Sequence, residues 1–590
     1  MLKRNEVKEE FKWKIEDMFS SDELWDKEFD EVKKEIELFK AYSDKITTAG
    51  LWEILSKRDD IMRRVDYLYV YAGLRSNEDS TNTFYQAMAD KSESLITLFS
   101  SATAFIEPAV LSLDANELEE ALTKEPLSLY RHYIEDILRS REHILSKDKE
   151  ELLAQFYEVG NAASNIYYML ENADMTFPDI TDSNGKKHPL SHGTYISYLE
   201  SKDRTLRKSA FDTYYDTYYK QKNTLAATYS SSVKKDIVFA KVRNYSSALE
   251  SMLSAGNIPV SVYTNLIDTV NKHLPLLHRY VSLRKKMLGL DELHFYDLYT
   301  PIVPDVDNSK TYEDAKAEVL KAVSVLGEDY VSTLSSALNN EGWVDIYENE
   351  GKRSGAYSWG AYGCHPFVSL NYNNTVDSMF TLAHEMGHAM HSHYTWDNQP
   401  FVYGDYTIFV AEVASTVNEA LLMEYLLKTT EDKAFKAYLI NYFMEQFRGT
   451  LFRQTMFAEF ELEAHKLVED GGALTFDVLN DIYLNLNKKY FGDGLVYDDK
   501  IAWEWARIPH FYTAYYVYQY ATGYSAAIAL SQNIFNNNGA ESYLNFLKGG
   551  SSKYSIDLLK GAGVDMTSPK PVEEALKVFE GLLDKMENLE

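Results

Sequence analysis

Four of the chain's fourteen histidines lie in one short run, FTLAHEMGHAMHSHY, from Phe380 to Tyr394. The other residues of the run are largely apolar, which is typical of a buried helix. Residues four apart share one face of a helix, so His384 and His388 can both reach one metal ion. Glu385 follows the first histidine directly, so its carboxylate lies beside such an ion and can act as a general base. This is the H-E-x-x-H spacing of zinc peptidases, and it predicts a hydrolytic metal site.

The other two histidines of the run have different predicted positions. His391 lies on the same face, three residues past His388. The ion is already held between the first pair, so we expect His391 to line the site or to support a ligand. His393 is five residues past His388, which turns it off that face. We therefore expect His393 to pack against neighbours or to face solvent.

Catalytic zinc commonly has a third protein ligand, with water in the fourth position. The metzincin class extends the motif with a glycine and a third histidine, but those positions hold His391 and Tyr394 here, which excludes that class. The next strongly helical segment, YGDYTIFVAEVASTVNEALLMEYLL, offers two carboxylates. Glu412 stands among apolar residues, where a buried charge needs a partner such as a metal. Glu419 shares its face, and is either an alternative ligand or a residue that orients a histidine.

The rest of the chain is predicted to be mostly helical, because stretches such as KEELLAQFYEVGNAASNIYYML space their apolar residues by three and four. Two stretches break this pattern. Met175 to Leu190 contains an Asn-Gly pair between short extended runs, which predicts a hairpin and a lobe boundary nearby. The glycine-rich stretch from Gly342 to Asn374 predicts a small sheet before the histidine helix. We expect an N-terminal helical lobe, residues 1–190, and a catalytic lobe, residues 191–590.

Composition excludes some classes of function. The net charge of −30 argues against a nucleic-acid-binding protein, which needs a basic surface. We find no uninterrupted apolar run of about 18 residues and no signal-peptide core at the start, so we expect neither a membrane span nor export. The single cysteine, Cys364, suits a reducing compartment. Together these features predict a cytoplasmic protein, and they do not indicate an oligomeric state.

Three stretches carry a resemblance to a known family: GKRSGAYSWGAYGCHPFVSLNYNNTVDSMFTLAHEMGHAMHS, QPFVYGDYTIFVAEVASTVNEALL and RIPHFYTAYYVYQYATGYSAAIAL. They resemble oligoendopeptidase F, the bacterial branch of the thimet oligopeptidase family of zinc peptidases. The likeness is dense in motifs from about Gly351 to Leu530, and the N-terminal third fits by its helical character. The resemblance implies a mostly α, two-lobed helical bowl that encloses a deep channel. It also implies one zinc ion per chain and short unfolded peptides as substrates.

The resemblance also implies the residues of the site. The zinc ligands would be His384, His388 and Glu412, with Glu385 as general base. Family members use a histidine and tyrosines to bind the substrate carbonyl and the oxyanion, and the matching positions here are His510, Tyr515 and Tyr518. A tyrosine hydroxyl is a good neutral donor for developing negative charge. The stretch HPFVSLNY resembles the edge strand that pairs with peptide substrate in related enzymes; the alternative is that it is simply a strand in the core of the lobe.

We therefore expect a zinc-dependent endopeptidase that cleaves internal bonds of short unfolded oligopeptides. A related zinc dipeptidase or carboxypeptidase is an alternative, and product mapping separates it from an endopeptidase. A protein that binds peptides or metal without turnover is a second alternative. Glu385 argues against it, because a pure metal holder does not need a carboxylate there.

Overall fold

The chain is predominantly helical, as the sequence predicts. The computed structural model describes residues 2–43, 46–304, 306–339 and 341–589; the predicted lobes also include Met1, Asp44, Lys45, Asp305, Asn340 and Glu590, which lie outside the described residues. The α-helices, in chain order, are α1 Asp22–Phe39, α2 Leu51–Glu78, α3 Thr83–Thr103, α4 Ile106–Ser112, α5 Ala115–Leu122, α6 Arg131–Arg139, α7 Lys147–Gly160, α8 Ala162–Met169, α9 His192–Leu199, α10 Arg204–Tyr219, α11 Lys222–Val242, α12 Ala248–Ser254, α13 Val260–Lys272, α14 Leu274–Met287, α15 Tyr312–Ala322, α16 Glu328–Leu338, α17 Val376–Asn398, α18 Ile408–Thr429, α19 Lys433–Gln446, α20 Arg453–Glu469, α21 Phe476–Phe491, α22 Tyr518–Asn537, α23 Ala540–Leu547, α24 Ser555–Gly561 and α25 Lys570–Glu587.

Helix α2 illustrates how the sequence builds a core. Its buried residues recur at spacings of three and four, as in Ile61, Val65 and Leu68, so they form one apolar face. Trp25 of α1 is fully buried, and its indole N–H donates to the backbone carbonyl of Leu68 at 2.9 Å. The ring is therefore buried without leaving its N–H group unpaired.

The strands are short. A hairpin pairs β1 (Ile180–Thr181) with β2 (Lys187–His188) in antiparallel register, with Gly185 at a φ of +79° in the turn, which confirms the predicted Asn-Gly hairpin. The second sheet contains β3 (Val344–Asp345), β4 (Tyr357–Trp359) and β5 (Phe367–Ser369), in the order β3-β5-β4. This sheet precedes the histidine helix in the chain, as predicted.

The chain divides into two compact units, and each is built from three separate segments. The first unit contains Met1–Glu142, Asn308–Tyr425 and Leu530–Val564; the second contains His143–Asp307, Leu426–Ala529 and Asp565–Glu590. Distant segments join within each unit, as shown by the hydrogen bond from Tyr554 to Asp136 (3.2 Å) in the first and from Asn265 to the carbonyl of Thr567 (2.8 Å) in the second. These units begin and end at other residues than the predicted lobes. The predicted division at residue 190 stays a prediction.

One segment of the described chain, Thr83–Ser112, has the length and apolar composition of a membrane span. It consists of α3, α4 and the turn between them. Of its most apolar stretch of 18 residues, 28% is buried. Helices that pack within folded proteins meet the same criterion, so the segment is weak evidence for a membrane contact.

Candidate metal centre

Helix α17 in the first unit carries the four histidines. It begins after Thr375, whose side chain accepts a hydrogen bond from the backbone N–H of Ser378 and caps the helix. His384 and His388 lie one turn apart, and their Nε2 atoms are 3.2 Å from each other. The two imidazoles therefore converge on one point, as their spacing predicts.

Glu412 on α18 completes a group of three. Its Oε2 lies 3.3 Å from Nε2 of His384 and 3.4 Å from Nε2 of His388. Tetrahedral ligands at 2.0–2.1 Å from a zinc ion are about 3.3 Å apart, so the three atoms have the spacing of three zinc ligands. Among the described residues, no other group of three His, Cys, Asp or Glu side chains is close enough to share an ion. The donor set, two imidazoles and a carboxylate, fits a catalytic zinc site with an open position.

Electrostatic interactions within the group shift the pKa values of its members. Hydrogen bonds from His384 and His388 lower the pKa of Glu412 well below its usual range, despite partial burial. Burial lowers the pKa of His384, but its contacts with Glu412 and Glu419 outweigh burial and raise this pKa well above the ordinary value. Ser415 also donates a hydrogen bond to Oε2 of Glu412 at 3.1 Å, which holds the carboxylate in place.

The sequence left two roles open for Glu419, an alternative ligand or a residue that orients a histidine, and its contacts are those of the second. Its Oε1 accepts a hydrogen bond from Nδ1 of His384 at 2.5 Å, on the ring edge opposite Nε2. It is not part of the group of three that converges on one point. A carboxylate on the second nitrogen of a metal-binding histidine fixes the ring and its tautomer.

A glycine allows α17 and α18 to approach each other at the site. A Cβ on Gly387 would lie 2.5 Å from Cα of Ser415 and 2.6 Å from the carbonyl oxygen of Ala414, which is closer than real contacts allow. The buried Asn418 ties the same crossing together, since its Nδ2 donates to the carbonyl of Ala383 at 3.1 Å. Sequence reasoning missed both residues; the glycine inside HEMGH was the available signal.

Glu385 lies next to His384 and points into a largely buried environment. Its relative exposure is only 7%, and burial raises its pKa above the ordinary value. It does not contribute to the group of three. A carboxylate in this position is available to exchange a proton rather than to bind the ion.

The remaining histidines of α17 lie away from the converging group. His391 is buried and stacks on Tyr406, with ring centroids 3.7 Å apart, and burial lowers its pKa to about 3. It is therefore a neutral packing residue, and its role in lining the site or supporting a ligand stays a prediction. His393 packs against Trp343, and its Nε2 lies 3.5 Å from a carboxylate oxygen of Asp397. The sequence predicts that His393 packs against neighbours or faces solvent, and the structure shows packing.

The other predicted site residues belong to the second unit. His510 is exposed in a short 3-10 turn, Pro509–Tyr512, and its ring lies about 6 Å from the rings of Tyr516 and Tyr520. Although the residue is exposed, neighbouring atoms displace part of the water around its ring, and this desolvation lowers the pKa of His510. Within this unit, the exposed imidazole is thus accompanied by two other aromatic side chains.

Tyr515 and Tyr518 are each only 3% exposed and both contact Tyr263. Burial raises the pKa of both phenols, which keeps them protonated and able to donate. Tyr515 has a φ of +55°, an uncommon value for a residue other than glycine. Its backbone N–H donates to the buried carboxylate of Glu461 at 2.9 Å, which stabilises this conformation.

The prediction that HPFVSLNY supplies an edge strand is wrong, and the alternative, a strand in the core of the lobe, is confirmed. Its strand, β5, is the central strand of the sheet: Val368 pairs with Val344 of β3 on one side and with Ser358 of β4 on the other. Both edges of its backbone are therefore occupied. In the described part of the chain, β4 has a strand neighbour on one side only.

Comparison with known proteins identifies the family. The model of Peptidase family M3 matches residues 197–578, and the model of Oligopeptidase F matches residues 110–177. The chain belongs to peptidase family M3. It is 53% identical to Oligopeptidase PepF of Bacillus subtilis, over 99% of this chain and 88% of that relative. It is 43% identical to Group B oligopeptidase PepB of Streptococcus agalactiae, over 99% of this chain and 98% of that relative.

A solved structure agrees with this assignment. The crystal structure of oligoendopeptidase-F from Enterococcus faecium is 40% identical, with a TM-score of 0.75, over 96% of this chain and 99% of that chain. These matches confirm the resemblance seen in the sequence and the mostly α fold. The family M3 chain is therefore a peptide hydrolase, a metalloprotease that acts on oligopeptides.

Proposed function

We propose that this chain is a zinc-dependent endopeptidase that hydrolyses internal peptide bonds of short unfolded oligopeptides. The observation that carries the proposal is the triangle formed by Nε2 of His384, Nε2 of His388 and Oε2 of Glu412, with sides of 3.2 to 3.4 Å. Sides of this length suit three ligands of one zinc ion. When bound, zinc supplies Lewis acidity and makes water a stronger acid near neutral pH.

Glu385 is the proposed general base. Its carboxylate is adjacent in sequence to one ligand, and its pKa is raised by burial. We expect it to accept a proton from the attacking water as the scissile carbonyl becomes tetrahedral. The same carboxyl then delivers the proton to the leaving amine, which would otherwise depart as a poor leaving group.

His510, Tyr515 and Tyr518 are the proposed donors to the substrate carbonyl and the oxyanion. Both phenols stay protonated at neutral pH, because burial raises their pKa values. A neutral hydroxyl stabilises the negative charge that develops on the oxyanion by donating a hydrogen bond to it. Backbone pairing of a peptide with the outer side of β4, Tyr357–Trp359, would tolerate many side chains and thus suits broad specificity.

A cleavage assay tests the proposal. The substrate is a short, unstructured, internally quenched peptide, and the purified chain is assayed as isolated, after chelation and after zinc add-back. Cleavage that is lost with chelator and restored by zinc supports a zinc enzyme. Product masses then decide between internal cleavage and removal of terminal residues, so release of only terminal dipeptides or single residues would overturn the endopeptidase assignment.

Metal content separates an enzyme from a binding protein. Elemental analysis of the purified chain should give one zinc per chain, and His384→Ala or His388→Ala should abolish it. A zinc-loaded chain that cleaves none of a varied peptide set would instead indicate a peptide-binding protein. We further propose a cytoplasmic location, which the single cysteine supports.

A further inference from the structure

The first unit contains a cavity that the proposed mechanism does not use. Its volume is about 370 Å³, within the range of small-ligand sites. It lies between α2, the start of α6, the segment after β4 and the loop between α17 and α18. Pockets of this size with a few converging polar groups are the usual form of a ligand site.

Two carboxylates without a cationic partner face this cavity. Asp66 is partly buried and Asp405 is exposed, and among the described residues neither has a Lys, Arg or His nitrogen within ion-pair distance. Burial raises the pKa of Asp66 to about 7, and the charge of Asp405 adds to this effect. A carboxylate that is partly removed from water normally has a partner, and none of the described side chains supplies a cation to Asp66.

The single basic residue of the lining is already engaged. The Arg58 guanidinium donates to the Asp59 carboxylate at 2.9 Å and lies over the ring of Tyr133 at 4.3 Å. Tyr130 also donates to Asp59 at 2.7 Å. Because Arg58 and Asp59 neutralise each other, Asp66 and Asp405 are the acidic groups of the described lining that lack a cation, and a bound cation would favour their ionised forms.

Aromatic rings form much of the remaining wall, which includes Phe99, Tyr133, Tyr362, Trp396 and Phe401. Tyr362 is held in place, since its hydroxyl donates to the carbonyl of Gln399 at 2.8 Å and its ring contacts Phe401 edge to face. A Cβ on Gly404 would lie 2.8 Å from the ring of Tyr362, so glycine there lets the ring approach the backbone. Ring faces attract cations, most strongly where water is excluded.

We propose that this cavity binds an organic cation, an ammonium or guanidinium group on a short chain, with Asp66 and Asp405 as its ionic partners and the aromatic rings as its walls. The carboxylates can form charge-assisted hydrogen bonds with such a ligand, and the aromatic rings can form cation–π contacts with it. A hydrated divalent metal fits less well, because among the described residues the cavity offers no group of three ligand side chains around one point. Binding by this cavity does not depend on the proposed peptidase function.

Two sources supply this chemistry: a Lys or Arg side chain of a peptide, or a free small amine. Direct binding is measured first, by isothermal titration of the full zinc-loaded chain with cadaverine and with agmatine. The neutral 1,5-pentanediol, which matches cadaverine in length, is the ligand control. We expect saturable binding of both amines and none of the diol.

Variants locate the binding. Asp66→Asn and Asp405→Asn each remove one charge and retain size, and each should weaken amine binding by about tenfold or more. Asp60→Asn is the matched control, because Asp60 lies on the same helix but pairs with Lys57 and Arg63 outside the cavity. It should change affinity by less than about twofold. Trp396→Phe should retain binding while it removes the amine-induced change in tryptophan fluorescence.

The two sources are then separated with paired peptides that differ by one Lys-to-norleucine replacement. If a peptide side chain is the ligand, lysine lowers KM in the wild type but not in Asp66→Asn, and cadaverine competes with the peptide. If a free amine is the ligand, cadaverine binds while the paired peptides give equal KM values. No saturable heat with either amine up to about 1 mM would overturn the proposal. Equal binding by wild type and both Asn variants would also overturn it, as would binding of calcium in place of the amines.

Discussion

Glu419 fixes the orientation of His384. Its Oε1 accepts the Nδ1 hydrogen bond at 2.5 Å, while Nε2 of the same ring lies 3.3 Å from Oε2 of Glu412. The two nitrogens of one imidazole thus have different partners: Nδ1 bonds to Glu419, and Nε2 belongs to the converging group that we propose as the zinc site. Carboxylate support of this kind raises ligand basicity and fixes the tautomer.

Loss of this support should weaken metal binding more than it weakens the fold. Glu419→Gln is expected to lower zinc affinity by about 10- to 100-fold, because the amide cannot accept as strongly and frees the ring to rotate. Competition with a chromophoric chelator measures this affinity. Glu431→Gln, exposed just past the end of α18, is the control and should bind zinc like the wild type. Unchanged affinity in Glu419→Gln would contradict the orienting role.

Gly387→Ala tests the helix crossing at the metal site. The added methyl would lie 2.5 Å from Cα of Ser415, so α17 and α18 must separate. We expect about 1–3 kcal/mol of destabilisation and weaker zinc binding, since Glu412 moves with α18. Thermal unfolding and chelator competition measure the two effects. Gly581→Ala in α25, where a Cβ meets nothing within 4 Å, should be neutral or stabilising; the same behaviour at Gly387 would refute the packing argument.

Glu385→Gln separates the base from the ligands. The variant should keep its zinc, because Glu385 is outside the converging group. It should lose about 100- to 10,000-fold in kcat, because the amide cannot accept a proton from water. Elemental analysis and peptide cleavage provide the two readouts. Near-normal turnover would show that another group acts as base, and loss of zinc would show that Glu385 supports the metal.

Single removal of phenol hydroxyls tests the proposed oxyanion donors. Tyr518→Phe and Tyr515→Phe are expected to lower kcat by up to about 100- to 1000-fold with little change in KM, because the hydrogen bond strengthens in the transition state. Both side chains are buried, so thermal unfolding must accompany the kinetics. Tyr516→Phe is the informative comparison, since Tyr516 lies beside His510. A larger loss there than at both other positions would transfer the role to Tyr516.

Asp66 should make stability depend on pH. Burial raises the pKa of this carboxyl to about 7 in the folded chain, whereas an unfolded aspartate has a pKa of about 4. The folded state therefore binds the proton more tightly, and this stabilising contribution is complete below pH 4 and is lost as the pH rises through 7.

The amide of Asp66→Asn does not titrate. The variant should thus be more stable than the wild type at pH 8, by about 1–2 kcal/mol once screening by solvent is allowed for, and this difference should shrink towards pH 4. Thermal midpoints across this range, in buffers without amines, measure the difference. A difference that is constant with pH would refute the raised pKa.

The sequence by itself determined the local features, because spacing within one helix or turn fixes which side chains share a face. The pairing of His384 with His388, the position of Glu385 and the Asn-Gly hairpin are of this kind. Resemblance to a family added Glu412 as the proposed third ligand, which residue spacing alone could not separate from Glu419. The prediction about HPFVSLNY failed because alternation indicates a strand but does not say which partners flank it.

Only the tertiary structure decided which carboxylate joins His384 and His388 in the converging group. Glu412 and Glu419 share one face of α18, and the choice depends on how α18 crosses α17, which Gly387 and Asn418 set. The cavity of Asp66 and Asp405 was likewise invisible in sequence, since its walls come from segments more than 300 residues apart. Contacts between distant segments depend on packing of whole helices, and no local pattern encodes them.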